Sequence, residues 1–216
     1  ELYTSQGCSS CPPADAFLGE LAGREDILAL SFHVDYWDYT GWKDPYASPA
    51  HTDRQRRYSR RFGRRYVYTP QMVIQGMAEE IGSDRRKVLK RIGEAAEVVR
   101  VPVRLGHGVK RDTITISIPR AATNDYAYDF TVWLVIYDRS HETAVKRGEN
   151  RGRTIRNSNV VRGLRRVARW RGEALETKAS LAEFAEANGD VCAVLLQSRR
   201  TGRIVGAARL ALDQSH

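Results

Sequence analysis

The sequence predicts an α/β domain followed by a mainly antiparallel, β-sandwich-like domain. Over residues 1–98, short apolar segments alternate with amphipathic segments of helical period, which is typical of strands and helices that share a sheet. Over residues 99–216, apolar segments of strand length follow one another and are separated by turn residues. We therefore predict two domains, residues 1–98 and residues 99–216, with no low-complexity linker between them.

Each element of the first domain follows from this periodicity. An arginine-rich helix ends near Phe62, and Tyr58 and Phe62, four residues apart, are predicted to face inward. Ser83 is a suitable N-cap for the last helix of the domain. The other predicted elements are a strand at residues 1–4, a helix at 15–22, strands at 27–35 and 66–74, a short strand after Gln75 and Gly76, and a helix at 83–97.

The second domain is predicted to consist almost entirely of strands. Only residues 181–187 have a clear helical pattern, and the short turns between the other segments favour an antiparallel sandwich. Cys192 is interpreted as a buried free thiol that packs like a small apolar residue. The predicted strands cover residues 99–105, 113–118, 130–137, 192–197 and 204–211.

The chain is basic, with 35 Lys and Arg against 26 Asp and Glu among 216 residues and a formal net charge of +9. Such a balance permits contact with nucleic acid or an anionic surface. However, the densest arginine clusters, residues 54–65 and 162–171, accompany no nucleic-acid-binding motif, and we interpret them as solvated faces. No apolar run is long enough to cross a membrane. The sequence therefore predicts no nucleic-acid partner and no membrane span, and it leaves the oligomeric state open.

Cys8 and Cys11 form a C-x-x-C motif between the first strand and the first helix. This spacing lets two thiols meet across one helical turn, and the first sulfur lies at the helix N-terminus, where the helix dipole favours a thiolate. Because a thiolate is the attacking species in disulfide exchange, we predict that Cys8 is an exposed nucleophile and that Cys11 resolves the mixed disulfide. Two alternatives stay open: a structural disulfide, and a zinc site, for which only Cys192 and no closely spaced histidine pair could supply further ligands.

The first domain resembles thioredoxin. The resemblance rests on Cys8-Ser-Ser-Cys11 after a strand, on the strand at residues 27–35, and on Thr69-Pro70 at the start of a later strand. It implies a thioredoxin-like fold in which the Thr69–Pro70 peptide is cis and lies beside the dithiol. The residues implied to form a substrate groove are Thr69, Pro70, Trp37 and Asp35.

A closer resemblance is to an uncharacterised bacterial secreted family of thioredoxin-like proteins with the motif Gly-Cys-Ser-Ser-Cys-Pro-Pro, here residues 7–13. The resemblance implies an exported protein, periplasmic or secreted, whose signal peptide has been removed from this chain. It implies no reaction, because none is established for the family. The matching segments are residues 1–15, 33–38, 41–44, 68–71 and 147–154.

Three departures from thioredoxin bear on the chemistry. A Ser-Ser pair replaces Gly-Pro between the cysteines, and this exchange is expected to alter the reduction potential. Leu2 stands where thioredoxin has a buried acid, which assists proton transfer from the second thiol. Pro12 and Pro13 have no N–H groups, so they stiffen the segment and leave a carbonyl near Cys8 without its usual helical partner.

The leading hypothesis is a thiol–disulfide oxidoreductase that acts on exported proteins or a small thiol through Cys8 and Cys11, with no cofactor and no metal. The alternative is a non-catalytic periplasmic binding protein with a structural disulfide, in which the aromatic loop and the β-rich domain hold a partner or a ligand. The residues that would then matter most are Trp37, Trp42, Arg151, Arg153 and Arg156. Copper delivery ranks last, because the longer cysteine spacing and dedicated histidine common in copper carriers are not evident. His33 is interpreted as a satisfied strand residue rather than a base.

Overall fold

The computed structural model describes residues 1–98, 100–110, 112–122, 129–184 and 189–212. Within these ranges the chain forms eleven strands and three α-helices. The helices are α1 (Pro12–Ala22), α2 (Pro49–Arg61) and α3 (Arg85–Ala96). The strands are β1 (Leu2–Thr4), β2 (Ser31–His33), β3 (Gln71–Ile74), β4 (Ala78–Ile81), β5 (Arg104–His107), β6 (Thr113–Ile118), β7 (Phe130–Ala144), β8 (Thr154–Trp170), β9 (Leu175–Ser180), β10 (Val191–Ser198) and β11 (Ile204–Ala211).

Eight of these strands form one mixed sheet in the order β11-β10-β7-β8-β2-β1-β3-β4. β2 runs parallel to β1 and β8, whereas β3 runs antiparallel to β1 and β4. β10 runs antiparallel to β7 and β11. The other three strands form an antiparallel sheet in the order β5-β6-β9. The described chain is therefore mostly β.

The predicted fold class, a thioredoxin-like α/β domain followed by a β-sandwich-like domain, is wrong. Strands from both halves of the chain belong to the eight-stranded sheet, in which β8 pairs in parallel with β2 through Val160 and Ser31. The sequence interpretation missed β8 because its second half, residues 162–170, carries arginines that we took for a solvated face. Burial along β8 alternates irregularly, so the period of two that marks a strand is weak there.

The chain divides into two compact units, and the division falls within β7 and β8. Unit 1 comprises Glu1–Glu97 and Asp138–Val161, and unit 2 comprises Val98–Tyr137 and Arg162–His216. The domain boundary between residues 98 and 99 stays a prediction.

In unit 1, α1 and α3 pack on one face of the short strands and α2 packs on the other. Tyr3 of β1 contacts Phe32 of β2 and Tyr58 of α2, with ring centroids 5.5 and 6.3 Å apart. Tyr58 thus faces inward as predicted, whereas Arg54 of the same helix is buried against Glu1 rather than solvated. The core on the α1 face contains Leu2, Ala14, Phe17, Leu18, Leu21, Ala29, Met72, Ile74, Val88 and Ala95.

In unit 2, apolar residues from both sheets share one core. Every second residue of β6 points into it, as the period of two predicts for a strand with one buried face. Cys192 lies in this core as a free, fully buried cysteine, which confirms its predicted environment. The buried members are Val101, Ile114, Ile116, Ile118, Phe130, Val132, Leu134, Ile136, Trp170, Ala179, Cys192, Val194 and Leu196.

Three local predictions are also corrected. Asp84, rather than Ser83, is the N-cap of α3, and its carboxylate accepts a hydrogen bond from the Lys87 N–H at 3.1 Å. The predicted strand at residues 27–35 contracts to the three residues of β2. The predicted helix at residues 181–187 is a single 3-10 turn as far as the described residues extend.

That 3-10 turn spans Ala182–Phe184, and residues 185–187 of the predicted helix lie outside the described residues. Val99, the start of a predicted strand, also lies outside them, and β5 begins at Arg104. Among the described helices, none has both the length and the apolar composition that spanning a bilayer requires.

Candidate functional site

The Cys8–Cys11 disulfide lies in the turn between β1 and α1, with the two Cα atoms 5.5 Å apart. The Cys11 N–H donates to the Cys8 carbonyl at 3.2 Å, and Cys11 is the N-cap residue of α1. The C-x-x-C segment therefore forms a tight turn that leads directly into the helix. The predicted order of strand, C-x-x-C and helix is confirmed.

The disulfide is buried in this oxidised state. Cys8 and Cys11 are both 0% exposed, while Ser9 and Ser10 between them are exposed. The prediction of an exposed Cys8 is therefore wrong for the oxidised protein. The Ser10 hydroxyl lies 3.3 Å from the Cys8 Sγ and donates a long hydrogen bond of 3.5 Å to the Thr69 carbonyl. Ser10 thus bridges the Cys8 sulfur and Thr69.

The predicted groove residues fall into two groups. Trp37 and Thr69 meet, since the indole Nε1–H of Trp37 donates to the Thr69 Oγ1 at 2.7 Å. The Thr69–Pro70 peptide is cis, as the resemblance implies. Asp35, in contrast, is engaged by α2, where its carboxylate accepts a hydrogen bond of 2.5 Å from the Thr52 hydroxyl. The structure therefore brings Thr69 and Trp37 to the Ser10 side of the disulfide and ties Asp35 to α2.

Pro70 is buried against the start of α1, and a glycine allows this close approach. A Cβ atom on Gly82 would lie 2.9 Å from the Leu2 Cδ1, 3.1 Å from the Ala14 Cβ and 3.3 Å from the Pro70 Cβ. The Gly82 N–H also donates to the Pro70 carbonyl at 2.9 Å. Only a residue without a side chain fits there without displacing its neighbours.

The side chain of Asn150 completes the disulfide turn. Its Nδ2 donates to the Gln6 carbonyl at 2.9 Å and to the Cys8 carbonyl at 2.8 Å, and Asn150 is fully buried. In a helix, the Cys8 carbonyl would pair with the N–H four residues on, but that residue is Pro12, which has none. The carbonyl that the sequence predicts to lack its helical partner therefore receives a hydrogen bond from a residue 142 positions away.

Asn150 belongs to the loop of residues 145–153, which connects β7 to β8 and which we call the hairpin loop. The preceding residue, Glu149, accepts a hydrogen bond from the Ser9 N–H at 2.9 Å. Its interactions with Ser9 hold the pKa of Glu149 below the ordinary value. Two consecutive side chains of the hairpin loop therefore contact the C-x-x-C segment.

A buried carboxyl lies one helical turn beyond Cys11. The Asp15 N–H donates to the Cys11 carbonyl at 3.1 Å, and Asp15 is 3% exposed. Neither carboxyl oxygen of Asp15 makes a well-formed hydrogen bond within the described part of the chain. Burial raises the pKa of Asp15 to about 7, although weaker interactions with His33, Thr4 and Asn157 act in the opposite direction. Asp15 therefore exchanges a proton near neutral pH.

A buried histidine–carboxylate pair neighbours Asp15. The His33 Nδ1–H donates to the Asp44 Oδ2 at 2.7 Å, and both side chains are fully buried. Burial alone would raise the pKa of Asp44, but His33 and the N–H groups of Gln6 and Tyr46 hold it below the ordinary value. His33 is therefore a strand residue paired through Nδ1, as interpreted from the sequence, and the expectation that it is not a base stays a prediction. In the described ranges, no three His, Cys, Asp or Glu side chains are grouped to hold a metal ion.

Sequence reasoning missed Asp15, Glu149 and Asn150. Asp15 had a detectable signal, because it is the acidic residue on the buried face of α1 and follows Cys11 by four positions. Glu149 and Asn150 lie in a segment that supported the family resemblance, yet nothing local in the sequence indicates that this segment contacts the cysteines. Such contacts depend on how β7 and β8 return the chain to β1.

Comparison with known proteins identifies the family. The model of a family described as a protein of unknown function (DUF1223) matches residues 1–197. The chain is also similar to a protein from Agrobacterium tumefaciens whose crystal structure is known, with 32% sequence identity, 100% of this chain and 94% of that chain covered, and a TM-score of 0.83. No curated protein matches the chain. The chain belongs to the DUF1223 family.

Proposed function

We propose that the protein is a thiol–disulfide oxidoreductase with Cys8 and Cys11 as its redox centre. The observation that carries the proposal is Asp15, a buried carboxyl one helical turn beyond Cys11 that lacks a well-formed hydrogen bond in the described ranges. Incomplete pairing of a buried polar group costs free energy, and groups with strongly shifted pKa values concentrate at functional sites. A structural disulfide needs no such neighbour, whereas a reactive disulfide needs a group that exchanges protons.

The proposed reaction oxidises two substrate thiols to one disulfide. A substrate thiolate attacks the Cys8 Sγ, the Cys8–Cys11 bond breaks, and its electron pair leaves on the Cys11 sulfur. A second substrate thiolate then attacks the substrate sulfur of the mixed disulfide and releases the Cys8 thiolate. The substrate loses two electrons, and the protein gains them together with two protons as a dithiol. The reverse sequence reduces a substrate disulfide.

Asp15 supplies the proton that the leaving Cys11 thiolate requires. With its pKa raised to about 7, a large fraction of Asp15 is protonated at neutral pH, and its ionised form can take the proton back in the reverse reaction. The acid would thus come from α1 rather than from the β1 position that Leu2 occupies.

Exchange also requires access to the buried sulfur of Cys8. The groups that cover it include the exposed Ser10 side chain, and Glu149 holds the neighbouring Ser9 by hydrogen bonding. Each hydrogen bond contributes only about 0.5–1.5 kcal/mol, so we expect this cover to open at small cost.

The burial of both sulfurs also favours a second candidate, a non-catalytic binding protein in which the disulfide is structural. In this case the partner surface would be formed by Trp37 and Tyr39. Trp37 is hydrogen-bonded to Thr69, and Tyr39, which is 82% exposed, stacks on Trp37. We would then expect the Tyr39→Ala variant to lose partner binding and to keep its fold.

We propose an exported, periplasmic or secreted location for either function. Disulfides persist in oxidising compartments and are rare where thiol reductants are abundant. The substrates of the oxidoreductase would then be exported proteins or small thiols.

The decisive measurement is the reduction potential of the Cys8–Cys11 pair, obtained by equilibration in glutathione buffers and mass spectrometry of trapped thiols. We expect a potential between about −270 and −120 mV, the range of working oxidoreductases. The Cys8→Ser/Cys11→Ser variant should lose exchange activity, while Cys192→Ser, the matched control, should keep it. A potential below about −300 mV would instead mark a structural bond and favour the binding protein.

A further inference from the structure

The hairpin loop carries a concentration of positive charge. Glu149 is the only acidic residue among residues 145–153. Neither Arg147 nor Arg151 forms an ion pair with another described residue. The exposed cations of the loop are Lys146, Arg147, Arg151 and Arg153, so its formal net charge is +3 from four cations and one anion.

The hairpin loop is held beside the disulfide. Its ends are joined by hydrogen bonds from Gly152 N–H to the Val145 carbonyl at 2.8 Å and from Val145 N–H to the Arg153 carbonyl at 2.9 Å. Its centre is anchored by Asn150, which donates to the Cys8 carbonyl at 2.8 Å. The loop therefore cannot carry its cations away from the disulfide without breaking a buried contact.

Chain geometry limits how far these cations lie from that anchor. Arg151 is adjacent to Asn150, and Arg147 is three residues away, so their Cα atoms lie within about 4 Å and about 11 Å of the Asn150 Cα. The Debye length at physiological ionic strength is about 8 Å and grows as salt is removed. At low salt, where the Debye length approaches about 30 Å, a charged substrate at Cys8 therefore experiences the charge of these arginines.

Three carboxylates near the site accept hydrogen bonds from uncharged donors, which hold the carboxylates in place and leave their negative charge unchanged. Glu149 accepts from the Ser9 N–H, Asp35 accepts from the Thr52 hydroxyl, and Asp38 accepts from the Asp44 N–H at 3.3 Å. Glu149 offsets one positive charge of the hairpin loop and leaves an excess of three.

We propose that the hairpin loop forms a positively charged rim that selects substrates with negative charge close to their reactive sulfur. This inference rests on the proposed oxidoreductase function and names its substrate class: thiols flanked by carboxylates or other anionic groups. The rim raises the local concentration of such a substrate and leaves the exchange step itself unchanged, with attack on the Cys8 Sγ and departure of the Cys11 sulfur.

The test compares three small thiols that differ in charge: mercaptoethanesulfonate (negative), mercaptoethanol (neutral) and cysteamine (positive). The rate at which each reduces the oxidised full-length protein is divided by its thiolate concentration, at about 20 mM and at about 500 mM salt. At low salt we expect the anionic thiol to react about threefold faster than the neutral one and about tenfold faster than the cationic one. At high salt the three rates should converge.

Variants assign the effect to the hairpin loop. Arg147→Gln/Arg151→Gln should reduce the tenfold ratio of anionic to cationic rates to about threefold or less. Arg60→Gln/Arg65→Gln is the matched control, because it removes the same charge from exposed arginines at and beyond the end of α2. This control should leave the ratio unchanged.

The outcomes separate this inference from the proposed function. If none of the three thiols reduces the folded protein, the oxidoreductase proposal fails. If all three react at equal rates per thiolate, or if both double variants change the ratio equally, the oxidoreductase proposal stands and the rim is refuted. If the cationic thiol reacts faster than the anionic one, the rim is also refuted, and the negative electrostatic field at Cys8 is assigned to Glu149.

The same assay distinguishes two kinds of natural substrate that carry negative charge near the sulfur: a small anionic thiol and an acidic protein segment. Two cysteine-containing hexapeptides, one with aspartate and one with lysine on both sides of the cysteine, replace the small thiols. A ratio between the peptides well above tenfold indicates an acidic segment, and a ratio near that of the small thiols indicates a small substrate. A peptide ratio of one refutes the rim.

Discussion

The two units of this protein surround their cysteines with opposite environments. In unit 2, Cys192 lies in a hydrophobic core, and burial there raises the pKa of its thiol to about 11. In unit 1, the turn that holds Cys8 and Cys11 is surrounded by buried polar side chains. These include Asp15, His33, Asp44, Asn150 and Asn157.

The two environments differ in what their burial contributes to stability. Burial of apolar area stabilises a fold without further requirements, whereas each buried polar group costs free energy unless it is paired. The core of unit 2 follows the first rule, and burial in it disfavours the thiolate of Cys192. Unit 1 retains buried groups such as Asp15 that are incompletely paired within the described ranges, which is expected where selection acts on reactivity as well as on stability.

The largest expected effect is on cysteine reactivity. In the reduced, folded protein, we expect iodoacetamide to modify Cys8 at least about 100-fold faster than Cys192 at pH 7.5, because a thiol pKa near 11 leaves little thiolate. Mass spectrometry of timed samples measures both rates in one experiment. Equal modification rates of Cys8 and Cys192 in the folded protein would contradict the contrast between the two environments. As a control, unfolding in guanidinium should make the two rates equal.

The second effect concerns Asp15→Asn. Because burial raises the pKa of Asp15 from 3.8 to about 7, its contribution to stability is fully present below pH 3.8 and is lost as the pH rises through 7. Replacing the carboxyl by a neutral amide removes this loss. The variant should therefore be more stable, relative to the native protein, at high pH than at low pH. We expect the difference in free energy of unfolding between variant and native protein to rise by about 2 kcal/mol between pH 5.5 and pH 8.

The same Asp15→Asn variant should exchange disulfides about 100-fold more slowly at pH 7, because Cys11 loses its proton donor. Urea unfolding and the mercaptoethanol assay supply the two readouts, and Glu25→Gln on the surface is the control for charge removal. A variant that is no more stable at pH 8, or that exchanges at the native rate, would remove Asp15 from the mechanism.

The smallest expected effect is that of Asn150→Ala. The change leaves the Gln6 carbonyl without its donor and leaves the Cys8 carbonyl with the Cys11 N–H alone, which should cost about 1–3 kcal/mol of unfolding free energy. It should also loosen the hairpin loop and increase the rate of disulfide reduction severalfold. Asn159→Ala is the matched control, because Asn159 donates a buried hydrogen bond of 2.8 Å to the Ala29 carbonyl.

Both asparagine variants should therefore lose stability, and only Asn150→Ala should change the rate of disulfide reduction. Thermal unfolding measures the first quantity, and the mercaptoethanol assay measures the second. A rate increase of similar size in Asn159→Ala would mean that general destabilisation, rather than the hairpin loop, controls access to Cys8.

Several features of the fold and site could be predicted because their causes are local. The C-x-x-C turn, the start of α1 and the inward position of Tyr58 depend on residues within four positions of one another. The isolated apolar segments of β6, β7 and β10 were also recognisable from their composition. The cis Thr69–Pro70 peptide was implied by resemblance rather than by local pattern.

Other features were not predicted, because a high arginine content or a short segment masks the alternation of apolar and polar residues that marks a strand. β8 carries five arginines in seventeen residues, so its strand character is hidden by charge, and β9 is short, with four polar residues out of six. As a consequence, the parallel pairing of β8 with β2 was missed and the fold class was wrong. Long cationic side chains can lie along a strand while their charged ends stay in water.

Local sequence alone predicts the C-x-x-C pair: two cysteines three residues apart at the start of a helix, with two prolines behind them. Those properties follow from chain connectivity, and no distant residue can alter them. The burial of Cys8 and the contacts of Asn150 and Glu149 with the turn depend on the tertiary structure. These contacts join residues about 140 positions apart, and their free energy exists only once β7 and β8 have returned the chain to the first strand.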